Sequence, residues 1–540
     1  MYAADVSVIS FDSMNQPSSK DELLAELKDH RLPATLLDAV SSKLRQLEYA
    51  EQKVQLLEER LRLQRIEKYG PGSEKLSNLQ LELLEEEPGV SQAEVQAESQ
   101  QEKPAPSSSS KRKRAHPGRQ SLPASLPRVE RVIACLPEQC CCPHCQQETS
   151  VIGYDQSEHL EVEPAKYFVV LTRREKRTCR HCGEGGVVAA PLASRIVDKG
   201  LVSDQIVITT LIQKYNDHLP LYRQSAILER ETGIEISRAT MDGWVMRAGE
   251  LLLPLAAAVK RELLAGAYLQ ADETPIPVQL HAGTGSNHQA YLWQYGRPAA
   301  STVFDFQMGR GREGPKQFLG RFEGILQTDG YAGYDRVGGP EMIHAACWAH
   351  ARRKFYEAAK LHPSDVVATG IVAGINELFA VDARASTQKL DHAARHQLRQ
   401  QEATHLLERL RSEIKAALHG ALPASALGKA CNYTLTLWHK LTRFLEYPQL
   451  ELSNNLAENS MRPIALGRKN WIHFGSQQAG PKIAAILSIL ETCKRLNIPA
   501  RDYLAQVLPR LANLPANQFD QLTPSAWQSA RHCHNAPGLL

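Results

Sequence analysis

The sequence predicts a multidomain α+β protein, and three observations support this fold class. The chain has 540 residues, which is too long for one hydrophobic core and should form three or more domains. Apolar residues follow helical spacing near the N-terminus and again after residue 361, whereas short strand-like runs fill the region from about 267 to 347. Two CxxC pairs that precede these strands are typical of a small metal-binding module.

An amphipathic helix is expected within residues 1–83. From about residue 21 to residue 69 the chain is rich in charged residues, and Gly70-Pro-Gly-Ser73 ends the helix. The apolar positions that recur every three or four residues are Leu47, Ala50, Val54, Leu57 and Leu61. This pattern covers only about two heptads. It predicts either a short coiled coil that forms a homodimer or a higher oligomer, or an amphipathic helix that packs on its own domain.

Residues 84–127 are expected to form a disordered basic linker. They combine Glu and Gln runs with Ser107-Ser-Ser-Ser110, a composition that cannot bury a core. Contact with DNA phosphates is the favoured role of its cations, which are Lys111, Arg112, Lys113, Arg114 and Arg119. Two alternatives stay open. Arg119 could enter an A·T-rich minor groove, or the whole segment could be a solvated flexible hinge.

A four-cysteine zinc site is predicted in residues 128–190. Cys142-Pro-His-Cys145 and Cys179-Arg-His-Cys182 can each place two thiolates on one metal, and together they complete the tetrahedral coordination of structural Zn²⁺. Between the pairs, strand-like Tyr167-Phe-Val-Val-Leu-Thr172 could form part of a hairpin that returns the chain to the metal. A redox dithiol and unligated thiols are the alternatives. Other residues that could act as ligands in place of these four are Cys135, Cys140, Cys141, His144 and His181.

A helix-turn-helix-like segment is expected in residues 191–262. Pro220–Thr232 has helical spacing, Gly233 supplies a turn, and Ser237 is a suitable N-cap for a second helix over Arg238–Arg247. In a DNA-binding segment of this kind, the second helix would offer Arg238, Thr240 and Asp242 to a groove. A plain helical hairpin fits the same spacing equally well.

Five strand-like runs with two terminal acids dominate residues 263–360. The runs are Tyr268–Asp272, Ala290–Tyr295, Thr302–Phe306, Ile325–Asp329 and Met342–Cys347. A helix near Pro315–Arg321 separates the third strand from the fourth. Asp272 and Asp329 end the first and fourth strands. This order of strands and acids is that of a ribonuclease H-like core with a mixed sheet.

A third acid, Glu458, lies in the predicted second part of this core, residues 446–510. Residues 361–445 are expected to form an all-helical insertion, and residues 511–540 a C-terminal tail. Three carboxylates can hold two Mg²⁺ ions, or Mn²⁺, roughly 3.5–4 Å apart for phosphodiester chemistry, with Asp272 as the bridging ligand. Each acid alone has another explanation. Asp272 could be a strand-end charge beside Glu273, Asp329 a turn residue, and Glu458 part of a capping box with Asn455.

Four strings of residues resemble the DDE transposases of the insertion-sequence-66 family. They are Asp272–Val278, Thr328–Tyr334, Cys347–Phe355 and Gly467–Trp471. The resemblance extends to Glu67–Lys75, the CxxC pairs, Lys214–Arg223 and Glu491–Lys494. It implies a bacterial, element-encoded enzyme that binds terminal inverted repeats, cleaves at the element ends and joins 3′ ends to target DNA with Mg²⁺. It also implies a catalytic triad of Asp272, Asp329 and Glu458, and accessory proteins as partners.

One departure and one ambiguity accompany the resemblance. The family often has a Glu-Arg pair where this chain has Glu458-Asn459, so the neighbouring cation is displaced to Arg462. Cys347 and His350 could form a second metal site, but two ligands are too few, and packing is favoured. Cations expected to contact DNA near the acids are Arg352, Arg353, Lys354, Arg462, Arg468 and Lys469.

The resemblance implies a protein of the bacterial cytoplasm, associated with the nucleoid, and the charge and targeting patterns agree with a cytosolic protein that binds nucleic acid. Net charge is only +3, but basic residues are clustered. No apolar stretch approaches 18 residues and no signal peptide is recognisable, so no membrane span is expected and the cysteines should be reduced. An inactive DNA-binding repressor and a nuclease without strand transfer are the alternative functions. The intact acids disfavour the repressor, and the zinc module and basic linker disfavour the nuclease.

Overall fold

The computed structural model describes residues 34–69, 166–178, 187–198, 200–280, 287–362 and 365–534, with four single positions between 128 and 147. The chain forms two compact units, one of residues Glu102–Leu192 and one of Met1–Gln101 with Ala193–Leu540. In the smaller unit, β1 (Lys176–Thr178) and β2 (Val187–Ala189) form an antiparallel hairpin. Residues 167–172, where the sequence predicts a strand, form no strand, and their apolar side chains are exposed.

The long helix α1 (Ala34–Tyr69) belongs to the larger unit. The Glu59 carboxylate accepts from Ala426 N at 3.2 Å and lies 3.0 Å from His362 Nε2, while Arg62 donates to Leu361 O at 2.6 Å. The helix thus contacts its own unit through one face. The helix therefore packs on its own unit, as the alternative predicts. The predicted apolar stripe, Leu47 to Leu61, is exposed, so the surface that a coiled coil would use is not covered by this packing.

Three helices precede the sheet: α2 (Asp204–Tyr215), α3 (Leu221–Thr232) and α4 (Arg238–Leu264). Gly233 ends α3 in the left-handed conformation, with φ of 72°, which glycine adopts without steric cost. The predicted N-cap is confirmed, since Ser237 accepts from Thr240 N at 3.1 Å. The second helix is much longer than predicted, because its buried stripe continues to Leu263.

A mixed five-stranded sheet forms the centre of the larger unit. Its strands are β3 (Tyr268–Val278), β4 (His288–Gly296), β5 (Thr302–Gln307), β6 (Ile325–Thr328) and β7 (Ile343–Ala346). Their spatial order is β5-β4-β3-β6-β7, with antiparallel pairing from β3 to β5 and parallel pairing from β3 to β7. Short α5 (Glu313–Leu319) joins the two halves. The five predicted strands are therefore present, in the predicted chain order.

Helices cover both faces of the sheet. Successive side chains of a strand point to opposite faces, so one strand contributes apolar residues to two separate cores. Leu326 belongs to a core shared with α2 and α4, whereas its neighbour Ile325 belongs to a second core on the other face. That second core includes α6 (Trp348–Leu361) and the helices that follow it.

Residues 366–445 are helical, as the sequence predicts. The helices are α7 (Val366–Thr387), α8 (His392–Leu398), α9 (Thr404–Gly420), α10 (Ala426–Thr436) and α11 (Trp438–Leu441), with a π-helical turn at Arg399–Ala403. In the described residues α7 is the one helix long and apolar enough to cross a membrane, which corrects the expectation that no stretch approaches that length. Its buried Asp382 binds Arg395 and Arg399, so α7 is a core helix of this helical layer.

The chain returns to the sheet through α12 (Asn455–Trp471), followed by α13 (Ala479–Arg495), α14 (Ala500–Val507) and α15 (Pro524–His534). Two 3₁₀ helices, Leu508–Asn513 and Ala516–Leu522, connect the last two. Phe519 is buried in the first core, and Arg261 of α4 pairs with Asp520. Most of the predicted C-terminal tail therefore packs on the larger unit.

Candidate active site

Strand register brings Asp272 and Asp329 to neighbouring positions. Gln270 of β3 pairs with Gln327 of the parallel strand β6, and each acid follows its glutamine by two residues. Asp329 directly follows β6, but the prediction that Asp272 ends its strand is wrong, because β3 continues to Val278 through its pairing with β4. Adjacent strands are about 4.8 Å apart, and residues two apart share a face. The register therefore places the two acids on one face of the sheet, where β6 ends beside β3.

Buried glutamines direct the later part of the chain to this face. Gln270 Nε2 donates to Gln327 Oε1 at 3.1 Å and to Ser453 O at 2.9 Å, and Gln327 Nε2 donates to Glu451 O at 2.7 Å. The segment that leads into α12 therefore crosses β3 and β6 at the buried glutamines, which precede the two acids by two residues. Glu458, in the first turn of α12, lies close enough to raise the pKa of Asp272.

The electrostatics distinguish Asp272 from its neighbour Glu273. Burial, and the negative charges of Glu458, Glu273 and Asp329, raise the pKa of Asp272 well above its usual value. Its one hydrogen bond among the described residues is from Glu273 N, at 2.9 Å. Glu273 instead pairs with a cation, since Arg310 Nη2 donates to it at 2.7 Å and Tyr334 Oη donates to it at 2.8 Å. Among the described residues no cation stabilises the charged form of Asp272, so its raised pKa favours the protonated carboxyl until positive charge, such as a metal ion, is placed beside it.

Asp329 is fixed by its loop and by the helical layer. Its Oδ1 accepts from Tyr331 N at 2.8 Å, and its backbone carbonyl accepts from Tyr433 Oη of α10. Gly330 follows with φ of 90°, and a Cβ there would lie 2.3 Å from Leu437 Cδ1. Asp335, the other acid of this loop, pairs with Lys440 at 2.6 Å, which leaves Asp329 as the acid that faces Asp272.

Two residues of α6 contact Glu458. Arg353 Nη2 lies 3.1 Å from Glu458 Oε2, and His350 Nε2 lies 3.3 Å from Oε1. The second pair is close, but Oε1 accepts no hydrogen bond within the described residues. Asn454 is the N-cap of α12, but its side chain does not cap the helix, and Ser453 Oγ accepts from Asn455 N at 3.4 Å. The capping-box explanation of Glu458 is therefore wrong, because its carboxylate faces α6 and not its own N-terminus.

Cys347 and Arg468 help to hold α12 against the sheet. Cys347 is buried, and its Sγ accepts from Asn454 N at 3.4 Å, which agrees with packing and not with a second metal site. Asn454 Nδ2 also donates to Ala271 O, next to Asp272, at 3.4 Å. Near the other end of α12, Arg468 Nη1 donates to Pro275 O at 2.6 Å.

The three acids provide a suitable donor set for divalent ions. Their carboxylate oxygens are the hard ligands that Mg²⁺ and Mn²⁺ prefer, and the raised pKa of Asp272 reflects negative charge that such an ion would neutralise. In the arrangement described here, no three His, Cys, Asp or Glu side chains of the described residues are close enough to hold one ion. Arg353 contacts Oε2 of Glu458, and Oε1 accepts no hydrogen bond within the described residues.

The predicted DNA contacts near the acids are only partly available. The prediction that Arg352 contacts DNA is wrong, because Arg352 is 4% exposed and its Nε donates to Asn376 Oδ1 at 2.5 Å. Arg353 binds Glu458, and Lys354 lies over the Tyr433 ring at 4.6 Å. Arg468 mainly serves the contact with Pro275 described above. Of the other predicted contacts, Arg238 and Lys469 are exposed and Arg462 is half-buried.

Several predicted site residues lie outside the described residues. These are the four zinc ligands Cys142, Cys145, Cys179 and Cys182, and the linker cations Lys111, Arg112, Lys113, Arg114 and Arg119. The second CxxC pair falls in the sequence between β1 and β2. Sequence reasoning missed Tyr433, which donates to the Asp329 carbonyl, and Arg310 and Tyr334, which bind Glu273 beside Asp272. Tyr334 alone had a signal, since it ends a motif string that begins beside Asp329.

Comparison with known proteins gives the family. The model described as Transposase IS66 family matches residues 199–482, more than half of the chain, and spans all three acids. The chain belongs to the IS66 transposase family. A second model, zinc-finger binding domain of transposase IS66, matches residues 139–183 and includes all four predicted zinc ligands. A third, Transposase C of IS166 homeodomain, matches residues 56–131.

Relatives of this IS66-family transposase occur in Sinorhizobium fredii (strain NBRC 101917 / NGR234). Uncharacterized protein y4qI is 35% identical over 434 residues, which cover 77% of this chain and 78% of the relative. Uncharacterized protein y4hP is 30% identical over 505 residues, 89% of each protein. The similarity therefore extends over nearly the whole transposase, although the names of these relatives state no activity.

Proposed function

We propose that this transposase cleaves DNA at the ends of its own mobile element and joins the 3′ ends to target DNA, through a ribonuclease H-like core. The observation that carries the proposal is the register of β3 and β6, which aligns Asp272 with Asp329 on the face that also receives α12. The strand order β5-β4-β3-β6-β7 supports the ribonuclease H-like assignment.

Asp272, Asp329 and Glu458 would hold two Mg²⁺ ions, with Asp272 as the bridge. Bound Mg²⁺ would activate a water or a 3′-hydroxyl and stabilise the leaving oxygen. The chain's own residues prepare the site. Burial keeps Asp272 poorly solvated, and Tyr331 N fixes the orientation of the Asp329 carboxylate. Arg353 would stay paired with Glu458 until an ion binds Glu458 or a DNA phosphate binds Arg353. Binding of DNA would thereby be coupled to assembly of the metal site.

Recognition of the terminal inverted repeats is assigned to the parts of the chain that precede the sheet. Exposed Arg238, Thr240 and Asp242 lie at the start of α4, where a helix-turn-helix would meet a groove. The zinc-finger domain, with Zn²⁺ held by its two CxxC pairs, and the basic linker would add contacts to the repeats or to the target. Element-encoded accessory proteins are further proposed partners, and the bacterial nucleoid is the proposed site of action.

The exposed stripe of α1 supports a homodimer or a higher oligomer. Leu47, Val54, Leu57 and Leu61 are each about half exposed on one long helix, while Glu59 anchors the same helix to its own unit. Unpaired leucines at heptad spacing gain free energy when they pack against a second copy. Two copies would bring two element ends together, as joining of both ends requires.

A strand-transfer assay tests this function directly. Labelled duplexes that carry the element's own ends are incubated with Mg²⁺ and a target plasmid, with wild type and with Asp272→Ala, Asp329→Ala and Glu458→Ala. Loss of several kcal/mol of transition-state stabilisation should reduce joining by about a thousandfold in each. Asp335→Asn is the matched control, because this acid belongs to the same loop but binds Lys440.

Other results of the strand-transfer assay would support the competing functions. Joining that persists in any of the three alanine variants contradicts the triad. Wild-type protein that binds the ends but leaves them uncut would be a repressor. Cleavage without joining would indicate a nuclease.

A further inference from the structure

A cavity of about 310 Å³ lies away from the acids, between α2, α4, the end of α12 and the start of α13. Its lining includes Trp471, which follows Glu458 by 13 residues on α12 and so lies about 20 Å further along the helix axis. Two of the motif strings, Lys214–Arg223 and Gly467–Trp471, contribute residues to this cavity. The reaction proposed at the three acids uses none of these residues.

Two buried donors of this cavity lack partners within the described residues. Tyr215 is 3% exposed, and its Oη bonds to no other group there. Trp471 Nε1 is likewise buried and unbonded, but it lies against Gly467 of its own helix, where a Cβ would be 2.5 Å from it. A buried polar group without a partner costs about 1–3 kcal/mol, so the Tyr215 hydroxyl in the lining of this cavity points to a ligand that would accept from it. Burial raises the pKa of Tyr215, which keeps its hydroxyl a donor.

The lining of the cavity has one lysine, one carboxylate and the imidazole of His473. Lys214 and Asp242 both line it, and they interact, since the charge of Asp242 partly offsets the lowering of the Lys214 pKa by burial. A carboxylate in the lining disfavours a phosphate or another anion, and a single carboxylate beside a lysine disfavours a metal ion. Donors together with one acceptor fit a neutral molecule that has both kinds of group.

Part of the cavity wall is aromatic and apolar. The rings of Trp471 and Phe474 stack, with centroids 5.5 Å apart and planes inclined at 28°, and Met246 and Ile483 also line the cavity. Ile472, between these two rings in the sequence, has φ of 65°, which a β-branched residue rarely adopts. Strain of this kind often marks a functional site.

We propose that this cavity accepts one unstacked nucleobase of the bound DNA. A base has a planar face for the aromatic part of the wall, an acceptor for Tyr215 Oη, and, in adenine, guanine and cytosine, an exocyclic amine that could donate to Asp242. At 3.4 Å per stacked nucleotide, the distance of about 20 Å from Glu458 corresponds to about six nucleotides from the cleaved bond. This inference rests on the proposed function, because the acids must bind the same DNA.

Photo-cross-linking tests the proposal with a defined probe. Duplexes that end at the element's own 3′ terminus carry a single 5-iodo-2′-deoxyuridine, moved one position at a time over the last twelve nucleotides. Irradiated complexes with full-length protein are digested and sequenced by mass spectrometry. Cross-linking should peak at one position, about four to eight nucleotides from the end, and map to Tyr215 or Trp471.

Two variants separate recognition of a base from a structural role. Tyr215→Phe removes only an unbonded hydroxyl, so the protein without DNA should keep or gain thermal stability, yet affinity for the duplex should fall about fivefold or more. Trp471→Leu should weaken binding about 5- to 150-fold, the range that loss of one stacked base gives. Trp527→Leu, on α15, is the control and should bind the duplex as wild type does.

The outcomes distinguish this inference from the proposed function. If cleavage depends on the acids but cross-links avoid Tyr215 and Trp471, and Tyr215→Phe binds DNA as wild type does, the base pocket is overturned and the function stands. If wild type neither binds nor cuts the ends, both are overturned.

Discussion

The buried charge network around Asp382 should be essential for stability. Asp382 of α7 accepts from Arg395 at 2.6 Å and from Arg399 at 2.8 Å, and Arg395 also bonds Glu451 at 2.8 Å. The side chain of Arg399 is 1% exposed and that of Asp382 is 11% exposed. Loss of one partner of a buried pair typically costs about 3–5 kcal/mol, because the other charge remains buried.

Asp382→Asn should lower the free energy of unfolding by about 3 kcal/mol, near the low end of that range. Arg395 keeps Glu451, and Arg399 keeps the carbonyls of Phe444, Pro448 and Leu450, so the loss is partly offset. The measurement is urea unfolding followed by circular dichroism. Activity should also fall, because Glu451 lies in the segment that leads to Glu458.

An exposed ion pair of the same helical layer provides the control. Arg384 of α7 pairs with Glu402, with side chains 53% and 39% exposed. Exposed pairs contribute about 0–1 kcal/mol, so Glu402→Gln should unfold nearly as wild type does. If Asp382→Asn also unfolds within about 0.5 kcal/mol of wild type, the network does not hold the layer together and the reasoning is refuted.

Three further predictions concern the loop, the helix stripe and the zinc module. Gly330→Ala should cost about 2–4 kcal/mol in urea unfolding and reduce DNA cleavage, since positive φ and overpacking combine; an equal effect of Gly309→Ala, whose Cβ would meet nothing within 4 Å, would contradict this. Leu57→Glu should shift wild-type oligomers toward monomers in sedimentation velocity, and an unchanged distribution would exclude the stripe as the interface. Cys142→Ser with Cys179→Ser should remove bound zinc by metal analysis, whereas retained zinc would refute the four-cysteine site.

The strands and two of the acids could be predicted because their signals are local. Short apolar runs predict Ile325–Thr328 and Ile343–Ala346 closely, and an acid at the end of a run is visible in the sequence. The choice of Asp272 over Glu273 came from the family resemblance, and only the structure gives a physical difference between the two acids, since Glu273 pairs with Arg310, which is 37 residues away. Helix ends with local chemistry, such as the Ser237 cap, were also predictable.

Features that depend on tertiary packing could not be predicted. Arg352 looks like a surface cation in a basic string, but its position on α6 directs it to Asn376 and into the helical layer. Residues 511–534 lack strong periodicity, yet Phe519 is buried in the first core. The neighbours of Glu458 come from α6, more than a hundred residues earlier in the chain, so the capping-box explanation could not be rejected from sequence.

Iron-mediated cleavage of the protein backbone tests the central claim that three acids form one metal centre. Fe²⁺ in place of Mg²⁺, with ascorbate and peroxide, produces radicals that cut the chain beside the bound ion. Wild type should be cut near Asp272, Asp329 and Glu458, excess Mg²⁺ should suppress all three cuts, and Asp272→Asn should abolish them together. Cuts near Asp329 and Glu458 that persist at full yield in Asp272→Asn would show that the acids do not share one centre.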